Sequence, residues 1–326
     1  MKIGIISFAH MHAVSYASSL KKMKDVTLVG IADENVERGE KYAKQFDTQF
    51  FNRYEDLLKT DVEAIIVTSE NTKHYEHVLA CAKAKKHVLC EKPLATTMEH
   101  MKEMIKVCEE NGVFLGTAFP VRFNTPVAQA KKIIDEGKLG EILAIKGTNR
   151  GTNPGGWFVN KELSGGGAVL DHTVHVVDII RWITGVEVKD VYAEIGYSRF
   201  SDIPIDDSGI ITMGFTNGMF ATLDCSWSRN DYYPTWGDVT LDIIGTKGTL
   251  KVDAFDQKIN VYSNQNGLKW HPWGDDMDYV LLRNFITSVR DGRPPLATGY
   301  AGLKATEVAL AAYESFEKKT TVILNH

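Results

Sequence analysis

Short apolar runs alternate with amphipathic runs through the first third of the chain, and this alternation constrains the fold more than any other feature. Unbroken apolar runs are typical of parallel strands buried on both faces, and helices between such strands form right-handed crossovers. The pattern predicts an α/β domain with a doubly wound parallel sheet over residues 1–119. The strand-like runs are 2–8, 26–32, 64–67, 88–90 and 114–117, and the helical runs are 14–23, 36–46, 75–85 and 98–111.

A different pattern begins at residue 120. Residues 219–227 and 239–243 alternate between apolar and polar side chains, which predicts strands with one buried face. Asn217 and Gly218 form a strong hairpin-turn signal, and residues 245–248 form a second one. Residues 120–326 are therefore predicted to form an α+β domain with a large, mainly antiparallel sheet. Its helices are predicted at 126–136, 169–184, 279–291 and 303–318.

Composition excludes several classes of partner. The chain has 326 residues, a net charge of -5 and 44% hydrophobic residues, which is typical of a globular protein. The sequence has no basic stripe, so we expect neither nucleic acid nor an anionic membrane surface as a partner. It also has no apolar run of membrane-spanning length, no paired cysteine spacing, and a strand that begins at Lys2. We therefore predict a cytoplasmic protein with reduced core thiols.

The segment Glu91-Lys92-Pro93 directly follows the predicted strand at 88–90. Pro93 lacks a backbone N–H and disfavours the helical conformation at Lys92, so the strand ends there. Lys92 then points out of the carboxyl end of a strand, where open α/β sheets bind their ligands. A surface lysine beside a turn is the alternative, but the position in an alternating strand–helix series favours a functional lysine.

The turn after the first strand is where a dinucleotide site would place glycines. Positions 7, 9 and 12 hold Ser7, Ala9 and His12, and Phe8 and His10 lie between them. Ser7 and Ala9 are small enough for the backbone to approach a pyrophosphate. His12 at a helix N-terminus can donate a hydrogen bond to a phosphate. We expect these five residues to bind a dinucleotide, although they depart from the glycine pattern.

Asp33 ends the second predicted strand and is the better indicator of the cofactor. Its carboxylate would accept hydrogen bonds from both ribose hydroxyls and would repel a 2′-phosphate, which favours NAD over NADP. A helix cap is the alternative role for this residue.

His10 and His12 also suggest a metal site of the kind found in amidohydrolase barrels. The second half of the chain is not built of repeating strand–helix units, and no further metal-ligand spacing follows. We therefore predict no metal.

A polar stripe follows three consecutive glycines at 165–167. Asp171, His175 and Asp178 lie at i, i+4 and i+7 of a helix that is otherwise apolar, whereas His172 is rotated away from them. Buried polar side chains require partners, and a ligand cleft supplies them. The stripe is therefore a candidate catalytic surface, and a solvated polar face is the alternative.

These segments together resemble the glucose-fructose oxidoreductase, inositol dehydrogenase and MocA family of NAD(P)-dependent oxidoreductases, over essentially the whole chain. Residues 65–69 and 244–250 also fit the family. The resemblance implies a Rossmann domain, and a dimer or tetramer formed through the antiparallel sheet. It further implies that Lys92, Asp171 and His175 are catalytic, and that the cofactor contacts include Thr68, Ser69, His74, Glu91 and Lys92.

We therefore expect an NAD-dependent dehydrogenase that oxidises a secondary hydroxyl of a sugar, polyol or inositol. His175 would be the general base and Lys92 would stabilise the alkoxide, with Asp171, His172 and Trp157 among the substrate contacts. Two alternatives stay open. One is a glycosidase that uses bound NAD for transient oxidation, and the other is a non-catalytic regulator that senses the cofactor.

Overall fold

The computed structural model describes residues 1–197 and 203–324, and these form two compact units. The first unit contains Met1–Pro120, Glu162–Gly165 and Asp278–Leu303. The second contains Val121–Lys161 and the described parts of Gly166–Met277 and Lys304–His326.

A six-stranded parallel sheet forms the centre of the first unit. Its strands are β1 (Lys2–Ile6), β2 (Thr27–Ala32), β3 (Gln49–Phe51), β4 (Ala64–Val67), β5 (His87–Cys90) and β6 (Leu115–Thr117). Their order is β3-β2-β1-β4-β5-β6, and every neighbouring pair is parallel. The direction of winding reverses between β1 and β4, and ligands bind at such a reversal in open α/β sheets. The predicted doubly wound sheet is confirmed.

Five helices connect these strands. They are α1 (His12–Lys22), α2 (Val36–Gln45), α3 (Tyr54–Leu58), α4 (His74–Lys83) and α5 (Met98–Glu110). The helix α1 begins two residues earlier than the sequence indicates, so His12 lies in its first turn. The first unit also takes in α9 (Met277–Arg290) from Asp278 onward.

The second unit is built on a seven-stranded sheet in the order β12-β11-β7-β10-β9-β8-β15. The predicted, mainly antiparallel sheet is confirmed, with one exception, since β7 and β10 run parallel. Its strands are β7 (Ile142–Thr148), β8 (Val188–Gly196), β9 (Ser208–Phe215), β10 (Phe220–Asp224), β11 (Thr240–Gly245), β12 (Gly248–Asp253) and β15 (Val322–Ile323).

Both predicted hairpins are present in this sheet. The turn at Asn217 and Gly218 joins β9 to β10, and Gly245 pairs with Gly248 where β11 turns into β12. A separate two-stranded hairpin consists of β13 (Lys258–Ser263) and β14 (Gly267–Pro272).

Helix α8 (Ala168–Thr184) packs against β7 and β9 on one face of this sheet. Helix α6 (Thr125–Asp135) packs against α8 and β12. The short helix α7 (Lys161–Ser164) precedes α8, and α10 (Gly299–Lys318) precedes β15. None of the helices in the described part of the chain is both long enough and apolar enough to cross a membrane.

Four strands of the large sheet present apolar side chains on the face opposite α8. The pairing of the strands, with side chains alternating between the two faces, puts four large apolar residues on this face. They are Tyr192, Ile210, Phe220 and Ile244, which are 38%, 52%, 56% and 47% exposed. We call this surface the open face. All four cysteines, in contrast, are buried and unpaired: Cys81, Cys90, Cys108 and Cys225.

Candidate functional site

The turn between β1 and α1 has the conformation of a glycine turn without the glycines. Ser7 has a positive φ of 69°, in the left-handed region that favours glycine. Its backbone N–H donates to Ala32 O at 2.7 Å, and its carbonyl accepts from Thr68 Oγ1 at 2.6 Å. The Ala9 N–H donates to Ser7 Oγ at 3.1 Å, and the His10 N–H donates to Thr68 O at 3.0 Å. These bonds attach the turn to both neighbouring strands.

Asp33 lies just beyond β2 and is 3% exposed. Its Oδ2 accepts from the Phe8 N–H and from Arg38 Nε, each at 2.8 Å. Its Oδ1 accepts from the Asn35 N–H at 2.9 Å and from Arg38 Nη2 at 2.8 Å. Asn35, and not Asp33, caps helix α2, because its side chain accepts from the Arg38 N–H. The carboxylate therefore links the cofactor turn to the start of α2.

The carboxyl end of β4 leads into a buried cluster around His74, which is fully buried. Its Nδ1 lies 2.9 Å from Pro93 O and its Nε2 lies 3.1 Å from Ser69 O. Ser69 Oγ is 2.9 Å from Nδ1 of His77. Burial lowers the pKa of His74, and it lowers the pKa of His77 to about 4. Burial therefore disfavours the charged form of both histidines, which support the segment at Ser69.

Glu91 is fully buried at the end of β5 and is the centre of a polar network. Its Oε1 accepts from Tyr16 OH at 2.6 Å and lies 3.0 Å from His12 Nδ1. Its Oε2 accepts from the Lys92 N–H at 3.0 Å. Burial opposes ionisation of Glu91, but His10, His12 and Lys92 together lower its pKa well below the usual value. Burial likewise opposes the His12 charge, yet Glu91 raises the pKa of His12 overall.

Lys92 lies two residues beyond the end of β5 and is 4% exposed, and its peptide bond to Pro93 is cis. The predicted end of the strand at this position is confirmed, since β5 stops at Cys90. The structure thus brings Ser7, Asp33, Thr68 and Glu91, together with Lys92, to the carboxyl edge of one sheet.

In the second unit, the start of helix α8 is held by a buried carboxylate. Asp206 accepts from the Gly167 N–H at 3.0 Å and from the Val169 N–H at 2.8 Å. Tyr313 OH donates to Asp206 Oδ1 at 2.8 Å. A side chain at Gly167 would overlap the Asp206 carbonyl, which explains the glycine there. The bound amides fix the N-terminal turn of the helix that carries the polar stripe.

The predicted polar stripe divides into two parts with different neighbours. Asp178 forms a buried ion pair with Arg122, with Oδ2 2.6 Å from Nε. Asp171 Oδ2 lies 3.3 Å from Nε2 of His172. His172 is 3% and His175 is 5% exposed. The carboxylate of Asp178 is therefore bound to a guanidinium.

Aromatic side chains surround His172, which sequence periodicity places off the stripe. Its ring lies 5.9 Å from that of Trp236 and 6.4 Å from that of Trp227. Trp157, a predicted substrate contact, stacks on Phe158 with the ring centres 3.9 Å apart, in a short 3-10 turn.

Several of these partners were missed by sequence reasoning. Each is distant in sequence from the group it contacts, or lies on a different element, so no local spacing indicates it. They are Arg38 at Asp33, Tyr16 at Glu91, Arg122 at Asp178, and Asp206 with Tyr313 at the start of α8.

The first unit fits a dinucleotide. A pocket at the carboxyl ends of β1 and β2 is lined by Ser7, Asp33, Arg38, Glu70 and Lys73, among others. The turn beside it leads into the N-terminus of α1, and the N-terminus of a helix suits a phosphate. The acidic residue after β2 is where such folds hold the adenosine ribose. The sheet order and this edge define a dinucleotide-binding protein of the Rossmann class.

Comparison with protein families leads to the same class of protein. Residues 1–119 match the oxidoreductase family with an NAD-binding Rossmann fold, and residues 127–251 match the GFO/IDH/MocA C-terminal domain. The two matches cover more than half of the chain, so the chain belongs to the GFO/IDH/MocA oxidoreductase family. The resemblance predicted from the sequence is confirmed, and so is NAD as the cofactor.

Individual relatives cover nearly the whole chain. A myo-inositol 2-dehydrogenase of Thermotoga maritima is 29% identical, over 99% of this chain and 98% of that protein. A 2,7-anhydro-N-acetylneuraminate hydratase of Escherichia coli is 33% identical, over 89% of this chain and 77% of that protein. A scyllo-inositol dehydrogenase of Lactobacillus casei, solved with NAD(H) and scyllo-inositol, has a TM-score of 0.85. Its identity is 24%, over 99% of this chain and 98% of that one, so it supports the fold alone.

Proposed function

We propose that this protein is an NAD-dependent dehydrogenase that oxidises a secondary hydroxyl group of a sugar, polyol or inositol. The observation that carries the proposal is the buried Lys92 at the carboxyl end of β5, in a chain that belongs to this oxidoreductase family. The relative named myo-inositol 2-dehydrogenase, which spans almost the whole chain, supports the substrate class. We also propose the division into a cofactor domain at 1–119 and a substrate and oligomerisation domain at 120–326.

The cofactor would be held by the carboxyl edge of the parallel sheet. The β1–α1 turn, from Ser7 to His12, would bind the pyrophosphate through backbone amides and the His12 ring. Asp33 would accept from the adenosine ribose, which favours NAD over NADP. Thr68 and Glu91 would lie beside the nicotinamide ribose. Ser69 and His74 would support that edge, in keeping with the contacts between them.

NAD supplies a hydride acceptor when bound. His175 would remove the hydroxyl proton of the substrate as a general base, since an imidazole is suited to proton transfer near neutral pH. Lys92 would donate a hydrogen bond to the same oxygen and stabilise the negative charge that develops there. Asp171 and His172 would orient the sugar through neighbouring hydroxyls, with Trp157 as an aromatic platform.

The open face would form the contact between copies in a dimer or tetramer. Tyr192, Ile210, Phe220 and Ile244 are all exposed on this one face of the sheet. Large apolar side chains exposed on one face favour an interaction surface. This support is independent of the chemistry proposed above.

A second candidate function is suggested by the relative that is 33% identical and is named a hydratase. A hydratase adds or removes water, so it produces no net NADH. A glycosidase that oxidises its substrate transiently would share this property. Release of an eliminated or hydrated product without accumulation of NADH would identify either reaction.

The experiment is to incubate the enzyme with NAD and a panel of inositols, sugars and anhydrosugars, and to follow both NADH absorbance and product composition. We expect net NADH formation with at least one polyol. Lys92→Ala should keep NAD binding and lose turnover, mainly in kcat, because its interaction strengthens in the transition state. A Lys92→Ala enzyme with wild-type kcat would contradict the proposed role of this lysine.

A further inference from the structure

Two imidazoles and a carboxylate converge at the start of helix α1. One donor atom each from His10, His12 and Glu91 lie within 4.8 Å of one another. The two histidine rings are 4.3 Å apart, and His12 Nδ1 is 3.0 Å from Glu91 Oε1. The sequence alone predicts no metal, because no further metal-ligand spacing follows the two histidines. The fold supplies that ligand from the end of β5.

We propose that His10, His12 and Glu91 form a binding site for a divalent transition-metal ion of the zinc class, and that the bound ion competes with NAD. Two nitrogen donors and one carboxylate oxygen are a donor set that zinc binds with an open fourth position. Magnesium and calcium prefer sites made only of oxygen ligands, so they are poor candidates here.

The geometry requires little rearrangement. Zinc holds nitrogen and oxygen ligands at about 2.0–2.2 Å, which places tetrahedral ligand atoms roughly 3.4 Å apart. His12 Nδ1 and Glu91 Oε1 are 3.0 Å apart, so these two atoms need to separate by only about 0.4 Å to reach this spacing. The donor atom of His10 lies within 4.8 Å of the other two, so the His10 ring has to move closer to complete the set.

Outer partners already orient the carboxylate ligand. Tyr16 OH donates to Oε1 of Glu91 at 2.6 Å, and the Lys92 N–H donates to Oε2 at 3.0 Å. Such second contacts typically contribute 10–100-fold to metal affinity. His12 has a side chain that is 30% exposed, so an ion can reach the otherwise buried cluster from this side.

Competition with NAD follows from the position of the cluster, and this part rests on the proposed function. His10 and His12 belong to the turn proposed to bind the pyrophosphate, and Glu91 is proposed to lie beside the nicotinamide ribose. An ion that takes all three side chains withdraws them from the cofactor. It also places positive charge next to Lys92, which contributes to the electrostatic environment of Glu91.

A second cluster provides the matched control. Glu34, Glu76 and His77 also place one donor atom each within 4.8 Å of one another, but both carboxylates are exposed. Lys73 forms an ion pair with Glu34 at 2.8 Å and would have to be displaced by a metal. Zinc should therefore prefer the first cluster.

The test is calorimetric titration of metal-free protein with zinc alone. We expect one ion per chain, and at least a tenfold loss of affinity in each of His10→Asn and His12→Gln, with Glu76→Gln unchanged. Circular dichroism spectra and melting temperatures would show that the variants are folded. Cobalt should give the intense visible absorption of a tetrahedral site in the wild type and not in His10→Asn.

Two results would overturn the site. One is unchanged zinc affinity in both histidine variants, and the other is loss of binding in Glu76→Gln. Competition is tested separately, by repeating the zinc titration with saturating NAD, which should weaken zinc binding at least tenfold. If zinc binds but saturating NAD leaves its affinity unchanged, the competition is wrong while the site stands. Failure of NAD to bind the metal-free protein would instead contradict the proposed function.

Discussion

Replacing Asp33 with alanine tests how the chain distinguishes NAD from NADP. A carboxylate accepts about four hydrogen bonds. All four are provided within the protein, by the Phe8 and Asn35 N–H groups and by two nitrogens of Arg38. Ribose hydroxyls can therefore reach Asp33 only by displacing Arg38. A guanidinium released in this way would be free to bind a 2′-phosphate.

The expected loss of NAD affinity in Asp33→Ala follows from these contacts. A hydrogen bond to a charged group contributes about 1.5–3 kcal/mol, and about 1.4 kcal/mol corresponds to a factor of ten in affinity. Because bonds to Arg38 must be broken to make those to the ribose, the net loss in Asp33→Ala should lie at the lower end. We expect NAD to bind about tenfold more weakly. NADP should bind as well as before or better, because Arg38 has lost the carboxylate that engages it.

Both cofactors should be titrated into the wild type, Asp33→Ala, Asp33→Asn and the double variant Asp33→Ala/Arg38→Ala. Asp33→Asn keeps an acceptor for the Phe8 N–H and so separates loss of charge from loosening of the turn. The gain for NADP should disappear in the double variant. Unchanged NAD affinity in Asp33→Ala, or equal affinity of the wild type for both cofactors, would show that Asp33 does not bind the ribose.

Three further predictions use other parts of the molecule. In pH–rate profiles of kcat/KM, His175→Asn should flatten the rise with pH and cost roughly 10²–10⁴-fold in rate, whereas His172→Asn should cost far less; the reverse result would exchange their roles. Phe220→Asp should convert the proposed oligomer to smaller species in light scattering, while Tyr232→Asp, at a side chain 96% exposed, should not. An unchanged mass in Phe220→Asp would exclude the open face as the interface. Burial lowers the pKa of His77 from 6.5 to about 4. As the pH falls between these two values, the unfolded state binds a proton that the folded state does not, so the free energy of unfolding decreases. Between pH 7 and 5 this histidine should account for a loss of about 2 kcal/mol in urea titrations, and the total loss should be smaller by that amount in His77→Gln.

Periodicity was sufficient for the architecture because each element buries a face that its own side chains define. The apolar run that became β1 is hidden on both sides, and β10 alternates between a buried and an exposed face. One unpredicted feature of the large sheet is the parallel pair β7 and β10, which joins strands far apart in the chain. Neither strand carries a local signal for its neighbour, because direction of pairing is decided by the whole topology.

The candidate site was predictable only in part, for a related reason. The position of Lys92 follows from Pro93, since a proline ends a strand through local sterics. The neighbours of Asp178 do not follow from its own helix, because periodicity assigns a face but not the group that meets it. Asp178 shares a stripe with His175, yet its carboxylate is bound by Arg122, which precedes it by 56 residues.

The departure from the glycine pattern shows how a turn can keep its shape when its sequence changes. A non-glycine residue in the left-handed region costs about 1 kcal/mol, and Ser7 is in that region. Its N–H, carbonyl and hydroxyl oxygen all form hydrogen bonds within the turn and to the neighbouring strands, which offsets this cost. At the third position, His12 lies against the buried Glu91, so its ring has a fixed partner. Ser7 and His12 thus occupy two positions where a dinucleotide turn is expected to have glycine, and both have partners that a motif of glycines cannot reveal.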